Sequence, residues 1–338
     1  MKKVSVVIPT YNVEKYIAGT VESVLAQTHS NFELLIVDDE SPDRSVEICQ
    51  QFNDPRIKII HQKNQGLAGA RNTGIRNASG DYIAFLDGDD LWEPEKLAKH
   101  VAHLEQSPSV GVSFSRSAFI DEDGERLDIY QMPKLKDISK ADVFCRNPIS
   151  NGSAAVFRRE VFEGIKFQDQ VNGESLDCYF DNRFRLSQDI ECWLRIVIQT
   201  PWQIEGIPEA LTLYRVNSGG LSADLLPKMK SWEAMVEKLR SYDPELFADY
   251  ESLSRAYQLR YLARRAVTLK DGQAAVDLFH RALASNWRMI IKEPRRTVLT
   301  GAAAYLMRLL PMAFYHQIQR WALKITGATQ KLRIQQEQ

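Results

Sequence analysis

Three carboxylates fall within four residues at Asp87-Gly88-Asp89-Asp90, directly after the apolar run Tyr82 to Leu86. Like charges packed this closely repel one another unless a cation joins them. Mg2+ and Mn2+ are hard ions that take one or two carboxylates and complete their shells with phosphate oxygens, which a diphosphate leaving group supplies. Alternatively, the same residues form a polar turn with capping aspartates before Trp92-Glu93-Pro94. A second acidic pair, Asp38-Asp39, follows the apolar run Phe32 to Val37, and alone it reads as an ordinary loop. Arg71, in Gly69-Ala70-Arg71-Asn72-Thr73-Gly74, is a cation able to reach phosphates or a base, or else a surface helix arginine. Asp189 opens a strongly helical run, where it either caps the helix or serves as a general base. A hydroxyl nucleophile must lose its proton as it attacks, and a carboxylate within hydrogen-bond reach lowers that barrier.

The elements around these groups decide between the readings. Over the first hundred residues two hydrophobic periods alternate, the signature of strands joined by crossover helices into a parallel sheet. Strands are expected at Val4 to Ile8, Phe32 to Val37, Ile57 to Ile60 and Tyr82 to Leu86. Helices are expected from a cap at Asn12 to near Gln27, from Ser45 to Phe52, and from Gly66 to Ala78. Open parallel sheets bind ligands beyond the carboxyl ends of their strands. Pro9-Thr10-Tyr11, Asp38-Asp39 and Asp87 to Asp90 all occupy such ends, so one nucleotide could touch both acidic clusters. Further strands are expected at Val110 to Ser115 and Ala154 to Phe157, and a helix at Asp189 to Ile198. Beyond Leu225 the pattern is helical throughout. Ala256 to Ser285 reads as two antiparallel helices joined at Asp271-Gly272, similar to one tetratricopeptide unit; a single copy is a packing element rather than an array.

With 338 residues, 44% hydrophobic and 26% charged, the chain has ample material for a catalytic core and a smaller appendage. The net charge of −1 hides a basic tail, with nine Lys or Arg against two Asp or Glu from Ser285 onward. The acidic body lacks a basic face for nucleic acid. Cys49, Cys145, Cys178 and Cys192 show no paired short spacing, which fits a reducing compartment. Val4 to Ile8 is too short for a signal-peptide core, and Val298 to Phe314 is broken by Arg308 and Pro311. A cytoplasmic protein without a transmembrane segment is expected. Phe314, Ile318, Trp321, Ala322 and Ile325 form an apolar stripe beside Arg320 and Lys324, suited to a helix on an anionic membrane surface or one docked on the protein.

In order, Val4-Ser5-Val6-Val7-Ile8-Pro9-Thr10-Tyr11-Asn12, Ile36-Val37-Asp38-Asp39-Glu40-Ser41, Ala70-Arg71-Asn72-Thr73-Gly74, Phe85-Leu86-Asp87-Gly88-Asp89-Asp90, Gln188-Asp189 and Tyr214-Arg215-Val216-Asn217 resemble the inverting glycosyltransferases of family 2. The resemblance runs from about Val4 to Ser222. It implies an α/β GT-A fold, a Rossmann-like, mostly parallel sheet flanked by helices, across residues 1–222. The nucleotide-sugar half would be about 1–115 and the acceptor half about 116–222, followed by a helical region over 223–338. It further implies a nucleotide-sugar donor held by Pro9, Thr10, Tyr11, Glu14, Asp39, Arg71, Asp87 and Arg215, with Arg215 in a mobile loop. Asp87 and Asp89 would hold Mg2+ or Mn2+, Asp89 more directly, and Asp189 would be the base. A UDP-sugar donor and a glycan or lipid-linked acceptor are expected. Glu40 stands where the family usually has glycine, Gln188 replaces an acidic neighbour of the base, and Asn217 replaces a frequent histidine. The segment from Gln168 to Arg185 is longer than usual and is expected to shape the acceptor pocket. The competing readings are a sugar-phosphate nucleotidyltransferase and a non-catalytic nucleotide-sugar-binding protein.

Overall fold

The computed structural model describes residues 2–216 and 225–337, without the side chains of 312–314 and 316–322. Asn217 and most of the apolar stripe of the tail therefore lie outside the described residues. The elements run β1 (Val4–Thr10), α1 (Ile17–Leu25), β2 (Phe32–Asp38), α2 (Ser45–Cys49), β3 (Ile57–His61), α3 (Gly66–Asn77), β4 (Tyr82–Phe85), β5 (Leu91–Trp92), α4 (Lys96–Gln106), β6 (Val110–Ile120), β7 (Arg126–Tyr130) and α5 (Lys140–Arg146). They continue as β8 (Ala155–Arg158), α6 (Arg159–Glu163), β9 (Phe167–Val171), β10 (Glu174–Cys178), α7 (Gln188–Gln199), β11 (Gln203–Arg215), α8 (Leu225–Arg240), α9 (Pro244–Thr268), α10 (Gly272–Ser285), α11 (Met289–Lys292), α12 (Pro294–Leu309) and α13 (Met312–Glu337).

The chain forms two compact units. One comprises Met1–Ile138, Pro148–Asn217 and Gln330–Gln338; the other comprises Ser139–Asn147 and Ser218–Thr329. They are interleaved along the sequence rather than divided at one boundary. The first holds a mixed sheet in the order β3-β2-β1-β4-β8-β6-β11-β5, with β7 beside β6. The four leading strands run parallel. β8 then runs antiparallel to both β4 and β6, and β11 returns parallel to β6. All seven residues of β1 are buried, as in a strand covered on both faces, with Ser5 and Thr10 its polar members. The side chains of Val4, Val6 and Ile8 share a core with Ile17, Val21 and Val24 of α1. The opposite face meets α3, where a Cβ on Gly74 would lie 2.2 Å from Val7 Cγ1; only glycine allows that approach.

Pairing register matters more for the site than strand length. β1 and β2 extend past the expected ends, so that Thr10 pairs with Asp38. Val7 pairs with Phe85, which aligns the carboxyl ends of β1, β2 and β4 and puts Asp38 and Asp87 on one rim. Asn12 does not cap a helix. It adopts φ 54°, its backbone N–H donates to Ser41 Oγ at 2.8 Å, and α1 begins only at Ile17. The long segment after Gln168 contains most of a β-hairpin, β9 with β10, closed by Asn172 (φ 53°) and Gly173 (φ 88°).

The second unit is helical. Asp271 Oδ1 accepts from Ala274 N at 2.9 Å to start α10, and α9 and α10 pack as the expected hairpin on small residues such as Ala263, Ala266 and Ala275. The ring of Phe144, from α5, stacks with Trp232 at 6.4 Å and lies 4.6 Å from Phe247.

Candidate active site

The three acids of the Asp87 to Asp90 loop have separate environments. Asp90 is buried, its Oδ2 accepting from Ser153 Oγ at 2.6 Å and its Oδ1 from Arg215 N at 2.9 Å. Burial, with Asp89 and Asp87 nearby, pushes this carboxyl well above its ordinary range against those two donors. Asp87 is ion-paired with Arg71 Nη2 at 2.7 Å, and its own N–H donates to Ser153 Oγ. Asp89 stays partly exposed at the rim. Repulsion within the loop is therefore relieved by an arginine and by a carboxyl driven toward its neutral form. The crowding that suggested a metal does not by itself demand one.

Other backbone and hydroxyl groups lock the loop. Thr20 Oγ1 lies 3.0 Å from Gly88 O and 2.9 Å from Asp90 O. Arg215 is the last residue of β11 and is buried, rather than standing in a loop. Its guanidinium donates to the carbonyls of Asp89 at 2.7 Å, Asp121 at 2.8 Å and Glu122 at 3.0 Å, and stacks on Tyr16. It fastens the acidic loop to the end of β6. Beneath lies Lys96, fully buried, donating to Ala154 O at 2.9 Å and Thr212 Oγ1 at 3.2 Å. The chain of polar groups continues through His100, Ser113 and His103 to Glu205. Burial holds the Lys96 ammonium well below its ordinary value, with Asp90 opposing that shift.

Helix α3 connects the acidic loop to the other half of the site. The Arg71 guanidinium is buried between Phe85 and Phe180, 5.6 and 5.4 Å from their ring centres, and its Nε has no hydrogen-bond partner among the described residues. Gly152 makes room for it, since a Cβ there would sit 2.3 Å from Arg71 Nη2. The next residue, Asn72, accepts from the backbone N–H groups of Tyr179 and Phe180 at 3.0 and 2.8 Å and donates to Phe180 O at 2.8 Å. That pinned segment leads into α7, whose second residue is Asp189. Asp189 is partly exposed, and its Oδ1 accepts from Ile190 N at 2.8 Å. Glu191 and Arg195, in contrast, form a buried pair at 2.8 Å that anchors the helix. Cys192, one turn after Asp189, has its thiol pushed up to about 12, first by burial; Arg71 opposes that shift and Asp189 adds to it.

The remaining expected nucleotide contacts cluster at the ends of β1 and β2. Pro9 and Thr10 are buried in β1, while Tyr11 is half exposed. Glu14 Oε2 accepts from Arg44 N at 3.0 Å, so it ties the first loop to the start of α2. Asp39 is almost wholly buried, and its carboxylate accepts from Gln62 Nε2 at 2.6 Å, Gln65 N at 2.8 Å and Gly66 N at 2.8 Å. Burial raises this carboxyl above its usual range despite those donors. Its arrangement here is that of a cap on α3, a use that the sequence does not display because Gln65 and Gly66 lie far along the chain.

Among the described residues, no group of three or more His, Cys, Asp or Glu side chains comes together around a metal position. Asp87 and Asp89, both partly exposed at the rim, still offer the hard oxygens that Mg2+ or Mn2+ prefers when diphosphate oxygens complete the shell. The donor set fits such an ion; Asp90, turned inward, does not contribute. Ser153, Thr20 and Lys96 escaped the sequence reading. A serine, a threonine and a helix lysine carry no signal until the fold places them under the loop.

The sequence profile described as glycosyl transferase family 2 matches residues 5–166. TuaG of Bacillus subtilis, named as a teichuronic acid biosynthesis glycosyltransferase, is 32% identical over 65% of this chain and 82% of its own length. The chain spans 53%, 33%, 33% and 38% of the length of four other curated relatives. Among solved structures, Staphylococcus aureus TarS 1-349 in complex with UDP-GlcNAc has TM-score 0.55 and 17% identity, covering 90% of this chain and 89% of that one. The mannosyltransferase PcManGT of Pyrobaculum calidifontis, in complex with GDP-Man and Mn2+, has TM-score 0.56 and 20% identity, covering 91% and 86%. These likenesses agree with the GT-A expectation for the sheet. The ordered motifs, the fold that aligns them on one rim and the similarity along the length of TuaG together make this chain a member of glycosyl transferase family 2.

Proposed function

We propose that the protein transfers a sugar, with inversion, from a nucleotide-diphosphate donor to a hydroxyl of a glycan or lipid-linked acceptor during cell-surface polysaccharide synthesis. The carrying observation is the pair of neighbours on α3. Arg71 holds the acidic loop through Asp87, while Asn72 holds the segment entering the helix that bears Asp189. One rigid helix thus fixes the relation between a diphosphate-facing rim and a carboxylate, as positioned catalysis requires.

In this reading Pro9, Thr10, Tyr11, Glu14 and Asp39 frame the nucleoside, and Asp87 and Asp89 face the diphosphate. Those two carboxylates would hold Mg2+ or Mn2+, which would supply positive charge to the departing diphosphate. Arg71 orients Asp87 through their 2.7 Å contact, and Arg215 holds the carbonyl side of the loop, from where it would answer the diphosphate. Asp189 takes the proton from the acceptor hydroxyl as it attacks the anomeric carbon from the opposite face, so a single displacement inverts the centre. TarS bound to UDP-GlcNAc supports a UDP-sugar, and TuaG supports a polysaccharide acceptor. No described helix is long and apolar enough to cross a membrane. In this reading a lipid-linked acceptor would be met at the cytoplasmic face of the membrane.

The test is turnover of a panel of nucleotide sugars with Mn2+ or Mg2+, with and without chelator, by the wild type and Asp189→Asn. General-base catalysis typically contributes about 10²–10⁴-fold, so the variant should lose at least that much transfer while donor binding survives. Undiminished transfer by Asp189→Asn would remove the assigned base. Donor binding without turnover in the wild type would favour a non-catalytic nucleotide-sugar-binding protein. Release of pyrophosphate from a sugar phosphate and a nucleoside triphosphate would favour a nucleotidyltransferase.

A further inference from the structure

A helix packed on a protein core turns its apolar side inward, and α12 does so with Ala304 and Met307 yet carries large apolar residues on its outward side as well. Its buried positions are Thr297, Thr300, Gly301, Ala304 and Met307, small or polar for the most part. Its outward positions at the same helical spacing carry Val298, Leu299, Ala302, Tyr305 and Leu309, with Val298 61%, Leu299 57% and Leu309 73% exposed. Gly301 shows that the inward side is committed, since a Cβ there would meet the Phe279 ring at 2.7 Å. Just ahead, Trp287 and Ile291 on either side of the buried Met289 are 60% and 67% exposed. Single exposed leucines are common on any surface, whereas a run of large apolar residues along one helix face marks a contact site.

The exposed charges that α11 and α12 themselves carry, with Arg288 just ahead, are basic. Arg288, Lys292, Arg295 and Arg296 are exposed beside the apolar face, and between Asp277 and Glu337 the only acidic residue is Glu293. Glu293 is already held, by Arg260, by Arg146 at 3.2 Å and by Arg296 at 3.4 Å. At the joint of α11 and α12, Glu293, Pro294, Arg295 and Arg296 line a shallow depression open to solvent. Two copies of the chain meeting through this face would bring like charges together. A flat apolar strip with tryptophan at one end and a cationic margin matches instead the boundary of an anionic bilayer, where acyl chains receive the apolar residues and phosphates receive the arginines.

We propose that α11 and α12 form a membrane-contacting face that lays the protein on anionic phospholipid. This deepens the membrane-surface part of the functional reading by naming the surface, and it stands apart from the chemistry, because these residues are not in the catalytic or nucleotide-binding set.

The experiment is co-sedimentation of the full chain with phosphatidylcholine vesicles and with phosphatidylcholine vesicles carrying phosphatidylglycerol. Binding is expected only to the anionic vesicles and should weaken as salt is raised. Val298→Ser combined with Leu299→Ser should reduce binding at least about tenfold, and Arg288→Gln with Arg295→Gln should remove most of its salt dependence. All four side chains are exposed, so unchanged circular dichroism and unchanged donor hydrolysis are expected in both double variants. Equal binding by wild type and both variants, or none by the wild type, overturns the proposal. A concentration-dependent dimer in solution that Val298→Ser with Leu299→Ser abolishes, without vesicle binding by the wild type, assigns the face to self-association instead. Absence of donor turnover by the wild type, with vesicle binding intact, would count against the catalytic reading and leave this surface standing.

Discussion

Changing Gly152 to alanine adds one methyl at the point where the Arg71 guanidinium passes closest to the chain. The new Cβ would lie 2.3 Å from Arg71 Nη2, and the far end of a long side chain yields more readily than backbone. Arg71 would therefore move off Asp87, its 2.7 Å partner, while the sheet stays assembled. The expected outcome is a protein whose melting temperature is nearly that of the wild type but whose donor turnover falls by about tenfold or more, a loss of roughly 1.4 kcal/mol in transition-state stabilisation. Steady-state kinetics and thermal unfolding on the same preparation check this; a large drop in stability with kcat/KM intact would mean that Gly152 matters for packing alone. At this scale the sequence was legible where residue type and rim position coincide, as for Asp87 and Asp89. It was misleading for the third acid. Asp90 looks like its neighbours in the sequence, yet its environment is set by Ser153 and Arg215 N, both distant in the chain.

Strands β1, β2 and β4 were legible because parallel strands covered on both faces are mostly apolar along their length, broken here only at positions such as Ser5 and Glu33, and such runs stand out. β9 and β10 were not. Phe167–Val171 and Glu174–Cys178 mix polar and apolar residues with few buried positions, so no clean period of two emerges. Helix α3 tests the packing of the legible part. Gly74→Ala places a methyl 2.2 Å from Val7 Cγ1, deep between helix and sheet, and overpacking of this kind typically costs about 1–3 kcal/mol. Thermal unfolding should show a clear drop, and an unchanged melting temperature would mean that α3 can shift away from β1 at no cost. Glu33 on β2 offers a pH-dependent counterpart. Partial burial would raise its carboxyl, but hydrogen bonds from Ser5, Ser79 and Lys3 prevail and hold it down at about 2. A depressed carboxylate stabilises the fold above its unfolded value and loses that contribution as pH falls toward the folded one. The stability gap between wild type and Glu33→Gln should therefore be full near neutral pH and shrink as pH drops from 4.5 toward about 2. Denaturant midpoints measured across that range would show it; a gap independent of pH would assign the contribution of Glu33 to something other than its charge.

For the whole molecule, the interleaving of the two units decides what can be cut. The helical character of the later chain is readable from its spacing, but no local pattern reveals that Ser139–Asn147 belongs with it, because those few residues find their partners a hundred positions away. Val143 and Phe144 are buried there, Phe144 against Trp232 and Phe247, and Ser254 Oγ donates to Phe144 O at 2.8 Å. A chain ending at residue 217 keeps the whole sheet from β1 to β11 and every acid assigned to catalysis, yet it strips α5 of this packing. Fully burying a side chain such as phenylalanine or valine is worth about 1.5–3 kcal/mol, and the truncated protein would instead expose both. Size-exclusion chromatography of residues 1–217 should accordingly show self-association. The same truncation with Val143→Ser and Phe144→Ser should run as a monomer. If the unmodified truncation is already monomeric and as stable as the full chain, α5 does not depend on the helices that follow, and the division into these units fails as a description of how the protein holds together.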